Sequence, residues 1–84
     1  MYYLYILKCA DKTLYTGITT DLNRRVDEHN NTKLGATYTS SRRPVKLVYS
    51  KKFKNRSIAS KEEARVKKLK RNKKLELIKN SQKP

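Results

Sequence analysis

The stretch LYTGITTDLNRR, residues 14–25, sets Tyr15 two positions before Gly17 and closes on the pair Arg24-Arg25. These residue types share a chemistry. A free tyrosine hydroxyl ionises near pH ~10, and a nearby cation or metal lowers that value until the oxygen can serve as a base. A glycine lets a backbone or a phosphate come close. Arginine offers a planar fork of donors that matches a phosphate. A second tyrosine, Tyr5, stands upstream in LYIL, His29 follows Arg25 by about one helical turn, and Glu63 lies in a late basic segment. A lone carboxylate can hold one Mg²⁺, which keeps most of its waters. Cutting a phosphodiester requires an activator for the nucleophile, charge stabilisation on phosphorus, a metal or acid, and a grip on the backbone. Tyr5, Tyr15, Gly17, Arg25 and Glu63 are the residue types for that work.

Each of them also has a purely structural reading. Tyr5 and Tyr15 suit the core of a sheet. Arg24 and Arg25 are two of 22 basic residues, and solvated charge is the usual state of either. His29 could flank a helix end. Ser60-Lys61-Glu62-Glu63 matches a capping box. On a helical wheel Glu62 lies near the centre of the stripe Ile58, Ala59, Val66, Leu69, with Glu63 at its edge. Pattern alone favours Glu62 as the unusual carboxylate. A metal ligand, however, needs the rim of the core, where water and substrate reach, and that favours Glu63. Cys9 reads as a small core residue rather than a nucleophile.

The elements that must carry these residues follow from pattern. Residues 2–9 and 13–18 are apolar, β-favouring runs joined by a tight turn at Asp11-Lys12. Runs of this kind, rather than clean alternation, predict burial on both faces. Thr20 or Asp21 caps a helix over about 21–31, in which Leu22, Val26 and His29 or Asn30 fall at helical spacing; Asn30-Asn31 and Gly35 close it. Residues 31–44 form a polar loop, and Val45, Leu47 and Tyr49 alternate in a third strand over 45–49. Ser57 or Ser60 opens a final helical region with two apolar stripes, the second carrying Leu75 and Ile78, and a break near residue 71. The tail 81–84 should fray. The expectation is one α/β domain over 1–80: a three-stranded, mainly antiparallel sheet flanked by helices in the order β-β-α-β-α-α.

Charge narrows the partners. The 84 residues hold 22 Lys and Arg against 7 Asp and Glu, a net +15, and residues 51–84 alone carry 14 basic and 3 acidic side chains. Such a field attracts polyanions, nucleic acid before an anionic membrane surface, with DNA expected ahead of RNA. Lys67, Lys68, Lys70 and Lys73 in VKKLKRNKK, together with Arg24, are the candidate phosphate contacts. Tyr38, Arg42 and Arg43 could stack on and grip a strand, or belong to a linker. One cysteine excludes an intrachain disulfide, and one histidine excludes a His/Cys zinc cluster. No apolar run approaches the ~20 residues of a membrane span, and MYYLYILKCA lacks the basic start of a secretory signal. The expectation is a cytoplasmic monomer without membrane contact.

Tyr5 in LYIL, Tyr15 and Gly17 in YTG, Arg25, and Glu63 in a late helix, in this order, resemble the GIY-YIG nuclease superfamily, most of all its small stand-alone bacterial members. The resemblance covers nearly the whole chain; LYTGITTDLNRRVDEHN is its specific part, with LVYSKKF and NRSIASKEEARVKKL following in order. It implies catalytic roles for Tyr5, Tyr15, Arg25 (eight residues after the motif glycine) and His29, with a single Mg²⁺ or Mn²⁺ on Glu63. There are departures. Tyr3-Leu4-Tyr5 stands for Gly-Ile-Tyr, Thr16 for the isoleucine of Tyr-Ile-Gly, and Ile18 where some relatives carry lysine; a late asparagine of some relatives could be Asn72 or Asn80. The function implied is metal-dependent endonuclease action on DNA, structure-directed or repair-related, with any specificity coming from nucleic-acid shape, from the chain's own basic C-terminal helices or from a partner protein. The rival reading is a non-catalytic nucleic-acid-binding module on the same fold.

Overall fold

Strand β1 (Tyr2–Lys8) is the middle of the sheet, because only its residues are apolar enough to be covered on both sides. Strand β2 (Leu14–Thr19) pairs with one edge of it and β3 (Lys46–Phe53) with the other, both antiparallel. The computed structural model describes residues 1–31, 39 and 41–81. Gly35 and Tyr38, and the tail 82–84, lie outside the described residues. Helix α1 (Leu22–Asn31) follows β2, and α2 (Arg56–Lys67) and α3 (Arg71–Ser81) follow β3, so the element order is the expected one.

Alternation along β1 builds two cores. Leu4 and Ile6 point to one face, where Val66 of α2 and Ile78 of α3 cover them together with Leu14, Ile18, Val48, Tyr49 and Phe53. Tyr5, Leu7 and Cys9 point to the other face, where Leu22 and Val26 of α1 meet Tyr15, Val45 and Leu47. Helices thus lie on both sides of the sheet, and each side buries one parity of β1.

Four expectations from sequence are corrected. The third strand runs to Phe53 rather than ending at Tyr49, with exposed Lys51 and Lys52 still paired to Leu4 and Tyr3. Charge is tolerated there because the far side of an edge strand is in water, where lysines also discourage another strand from adding. The alternation Val45, Leu47, Tyr49 is broken: Ile6 opposes Tyr49 but Leu7 opposes Leu47, a bulge that absorbs Val48 and sends Tyr49 to the opposite face from Leu47. Asn55, not Ser57 or Ser60, caps α2, its side chain accepting from the Ile58 amide at 3.0 Å. Glu62 and Glu63 are therefore mid-helix, and the capping box is not formed. The stripes shift too: Ala59, Val66 and Ile78 are buried, while Ile58 and Leu75 are 46% and 41% exposed.

The hairpin closes without glycine. The Cys9 carbonyl accepts from the Lys12 amide at 2.9 Å, and Lys12 takes a φ of 70°, a conformation glycine favours. Asp11 braces the turn by accepting from both the amide and the hydroxyl of Thr13.

Thr16 faces the α2 side opposite Ile6, and its buried hydroxyl finds no hydrogen-bond partner among the described residues. Thr16→Val keeps the branched shape and removes an unpaired polar atom. It should stabilise the fold by about 1 kcal/mol, seen as a higher urea midpoint at unchanged slope.

Candidate active site

The site begins with a missing side chain. Gly17 lies directly across from Tyr5 in the β1–β2 ladder. A Cβ on Gly17 would fall 2.5 Å from the Tyr5 hydroxyl oxygen and 2.6 Å from its Cζ. Sequence predicts a glycine that admits a phosphate or a backbone; what it admits is the ring of Tyr5. No glycine in the described residues has a positive φ, so space rather than conformation requires it.

The β2–α1 junction then brings α1 over that ring. Thr19 is buried and accepts from the Asp21 amide at 3.1 Å, and Asp21 accepts from the Arg24 amide at 3.1 Å, so Asp21 is the cap of α1. Leu22 and Val26 anchor the helix on the sheet and bring His29, on the same stripe, against the two tyrosines. Ring centroids lie 6.4 Å apart for Tyr5 and Tyr15, 5.9 Å for Tyr5 and His29, and 5.2 Å for Tyr15 and His29. The Tyr5 hydroxyl is 3.0 Å from His29 Nε2, and His29 Nδ1 is 2.7 Å from the hydroxyl of Thr39. Tyr5, His29 and Thr39 are all essentially buried.

Arg25 stands at the mouth of this cluster, half-buried, with its Nη1 donating to Glu28 at 2.9 Å. Its guanidinium lies beside the Tyr5 hydroxyl and favours the ionised oxygen, but burial outweighs it and the Tyr5 pKa is raised. The phenol therefore keeps its proton unless something takes it. Burial, with Arg25 and Arg43 adding positive charge, pulls His29 down to about 4 against the opposing pull of Glu28. His29 is neutral at pH 7.

On the other side of the sheet α2 packs over β2 and β1. Glu63 is half-buried there, and its charge is one of those opposing ionisation of Tyr5. Its cation in this structure is the exposed ammonium of Lys67, 3.6 Å away. Glu62 points elsewhere: it is paired with Arg65, which lowers its pKa, and its charge acts on Tyr49 and is felt from Lys51. Neighbouring helix positions are about 100° apart, so only one of the two carboxylates can face the tyrosines. A single, partly exposed carboxylate paired with an exposed lysine suits Mg²⁺ or Mn²⁺, which retain waters as ligands. Among the described residues no three His, Cys, Asp or Glu side chains cluster as a metal cage.

The remaining candidates are spread over the surface. Arg24 is exposed and shares Glu28 at 3.9 Å. Lys67, Lys68, Lys70 and Lys73 are exposed along the end of α2 and the start of α3, Lys73 lying 3.7 Å from Glu76. Arg42 and Arg43 have structural partners: Arg42 pairs with Asp11 at 3.0 Å, and Arg43 donates to the carbonyl of His29. Two participants are not picked out by the sequence pattern. Glu28 is legible there only as the i+3 partner of Arg25 and i+4 partner of Arg24. Thr39 sits in a polar stretch that carries no pattern.

Gly17→Ala forces the Tyr5 ring aside and should cost about 1–3 kcal/mol; in a Tyr5→Leu background the same change should cost much less, which a double-mutant cycle checks. His29 ionises far more readily unfolded than folded, so its stabilisation is present above pH ~6.5 and is lost as pH falls toward 4. Urea titrations should show stability dropping across that window by up to about 3 kcal/mol, and His29→Gln should flatten the drop.

The chain is similar to known proteins over nearly its whole length. The GIY-YIG catalytic domain family matches residues 1–76. A UPF0213 protein of Syntrophus aciditrophicus is 53% identical over 79 residues, covering 94% of this chain and 91% of that protein. One of Clostridium perfringens is 54% identical over 78 residues, covering 93% and 83%. The solution structure of the UPF0213 protein BH0048 from Bacillus halodurans superposes with a TM-score of 0.63 at 41% identity, over 100% of this chain and 89% of that one. That of EF2693 from E. faecalis gives 0.64 at 43% identity, over 94% and 83%. With its sheet order, its Tyr5–Gly17 pairing and these matches, the chain belongs to the GIY-YIG family and, within it, to the UPF0213 proteins.

Proposed function

We propose that the protein is a metal-dependent endonuclease that hydrolyses DNA phosphodiester bonds, with branched or damaged DNA as its substrate class. The observation that carries this reading is the buried Tyr5–His29 hydrogen bond with Arg25 at its open end. A buried phenol beside a neutral imidazole has a proton to give and a base to receive it. Tyr15 packs against both rings from the β2 side, and its hydroxyl is the second catalytic phenol, serving to activate the attacking water. Arg25, fixed by Glu28, meets the negative charge of the phosphate. Glu63 would hold the one Mg²⁺ or Mn²⁺, displacing Lys67; when bound, that ion supplies Lewis-acid polarisation of the phosphate and stabilises the leaving oxygen. Arg24, Lys67, Lys68, Lys70 and Lys73 contact backbone phosphates, and a partner protein supplies any sequence choice.

Purified protein should nick plasmid or junction DNA with Mg²⁺ or Mn²⁺ and not with EDTA. Tyr15→Phe and Glu63→Ala should each abolish cutting, while Glu62→Ala should cost less than about threefold, since its pair with Arg65 is on the surface. Tight, salt-dependent binding without cutting under any metal would establish the non-catalytic module instead. Neutralising Lys67, Lys68, Lys70 and Lys73 should flatten the salt dependence of binding by roughly 0.9 for each phosphate that these lysines no longer neutralise, equally on unrelated duplexes.

A further inference from the structure

Thr39 is as buried as His29, and its hydroxyl is 2.7 Å from His29 Nδ1. It is also held firmly. The Thr39 carbonyl accepts from the Arg42 amide at 3.0 Å, and the Arg42 carbonyl accepts from the Ala10 amide at 3.0 Å. Arg42 pairs with Asp11, and Arg43 donates to the His29 carbonyl. Asn30 clasps Val45 from both sides, donating to its carbonyl at 3.0 Å and accepting from its amide at 2.7 Å. The chain on the far side of Thr39 is thus tied to the end of α1 and to the β1–β2 turn. Such anchoring keeps the hydroxyl at a fixed distance from the imidazole.

The direction of the hydrogen bonds follows from donor count. The Arg25 charge near Tyr5 favours the phenol turning its oxygen lone pairs toward the guanidinium and its own proton away, toward His29 at 3.0 Å. The acceptor at 3.0 Å is His29 Nε2. A neutral imidazole carries one proton, which then sits on Nδ1 and is donated to Thr39. We infer that Thr39 is a positioning residue: by accepting from Nδ1–H it holds His29 in the tautomer whose Nε2 lone pair faces the Tyr5 hydroxyl. This rests on the proposed nuclease reading only for its consequence. When Tyr5 acts, its O–H bond breaks and an Nε2–H bond forms, giving a tyrosinate and an imidazolium. The Nδ1–H···Thr39 bond is unchanged throughout, so Thr39 needs no rearrangement. With the opposite tautomer Nε2 already carries a proton and cannot accept one. The charged and titratable groups around His29 are Tyr5 on β1, Tyr15 on β2, Arg25 and Glu28 on α1, and Arg43 after it; Glu63 on α2 acts through Tyr5.

His29 is the only histidine of the chain, so two-bond ¹H–¹⁵N spectra of tag-free, metal-free protein at pH 7 read its tautomer without ambiguity. The wild type and Thr39→Ser should show a single Nδ1–H form, and Thr39→Val a mixture or the Nε2–H form. An Nε2–H wild type overturns the inference, as does a Thr39→Val tautomer identical to wild type; the wild-type spectrum decides even where Thr39→Val fails to fold. In nicking assays at saturating DNA, Thr39→Val should slow turnover by roughly 10- to 100-fold with KM little changed, and Thr39→Ser should restore it to within about threefold. Wild-type turnover in a folded Thr39→Val overturns the inference. A wild type that cuts no DNA ends the nuclease reading, while the spectra still decide the role of Thr39.

Discussion

The Tyr5 ring lying across Gly17 is the contact on which the rest of the site depends. Residues directly opposite in an antiparallel pair normally share the space between strands, one side chain each. Here one residue supplies no side chain and the other takes the room of both, so a phenol of β1 reaches past the edge of β2 toward α1. The contact also fixes register. A slip of one residue would replace Gly17 with Thr16 or Ile18 opposite Tyr5 and turn the paired side chains to the wrong face. The β2–α1 junction depends on the same register, because Thr19 must be buried for its hydroxyl to receive the Asp21 amide and start α1 where His29 meets the ring.

The polar chain Thr39–His29–Tyr5 lies at one of the two cores formed by the described residues. Burying three polar side chains there is tolerable because each has its partner and the imidazole is neutral; a charged imidazole in the same place would face Arg25 and Arg43. The opposite core is almost wholly apolar and contains one flaw, the unpaired Thr16 hydroxyl. The two faces of β1 thus divide the work: Leu4 and Ile6 hold the fold together, and Tyr5, between them, is the residue that the proposed chemistry uses.

Much of this is legible in sequence because it lies in short-range pattern. The apolar run of β1, the Tyr-x-Gly of β2 and the spacing of Leu22, Val26 and His29 each determine a local conformation and a facing side, and the structure follows them. What escapes is long-range or degenerate. Asn55, Ser57 and Ser60 are all good caps, and only the end of β3 at Phe53 decides for Asn55. The bulge at Val48 is a property of pairing with β1, invisible in the alternation of β3 alone. The wheel sets Glu62 deeper than Glu63, but the stripe is centred on Ala59 and Val66 rather than on Ile58, so the two carboxylates end equally half-buried on different sides of α2. Thr39 is tied to His29 ten residues away by a chain with no periodicity, so only three-dimensional closure reveals it.

Arg25 acts on the two ends of the buried hydrogen bond in opposite senses. Its charge favours a tyrosinate at Tyr5 and disfavours an imidazolium at His29. For a proton passing from one to the other these effects oppose, so the guanidinium can draw in an anionic phosphate without greatly biasing the transfer. Glu28 tempers both effects through its 2.9 Å pair with Arg25, and its own charge favours the imidazolium. A phosphate arriving at Arg25 adds negative charge at the same place, helping His29 to accept a proton while hindering Tyr5 from losing one. What sets the resting position of the proton is therefore burial, which penalises both charged forms together. Under the proposed chemistry, the site can bind substrate with its proton still on Tyr5, and a cation held by Glu63 would offset the Glu63 charge that opposes ionisation of the phenol.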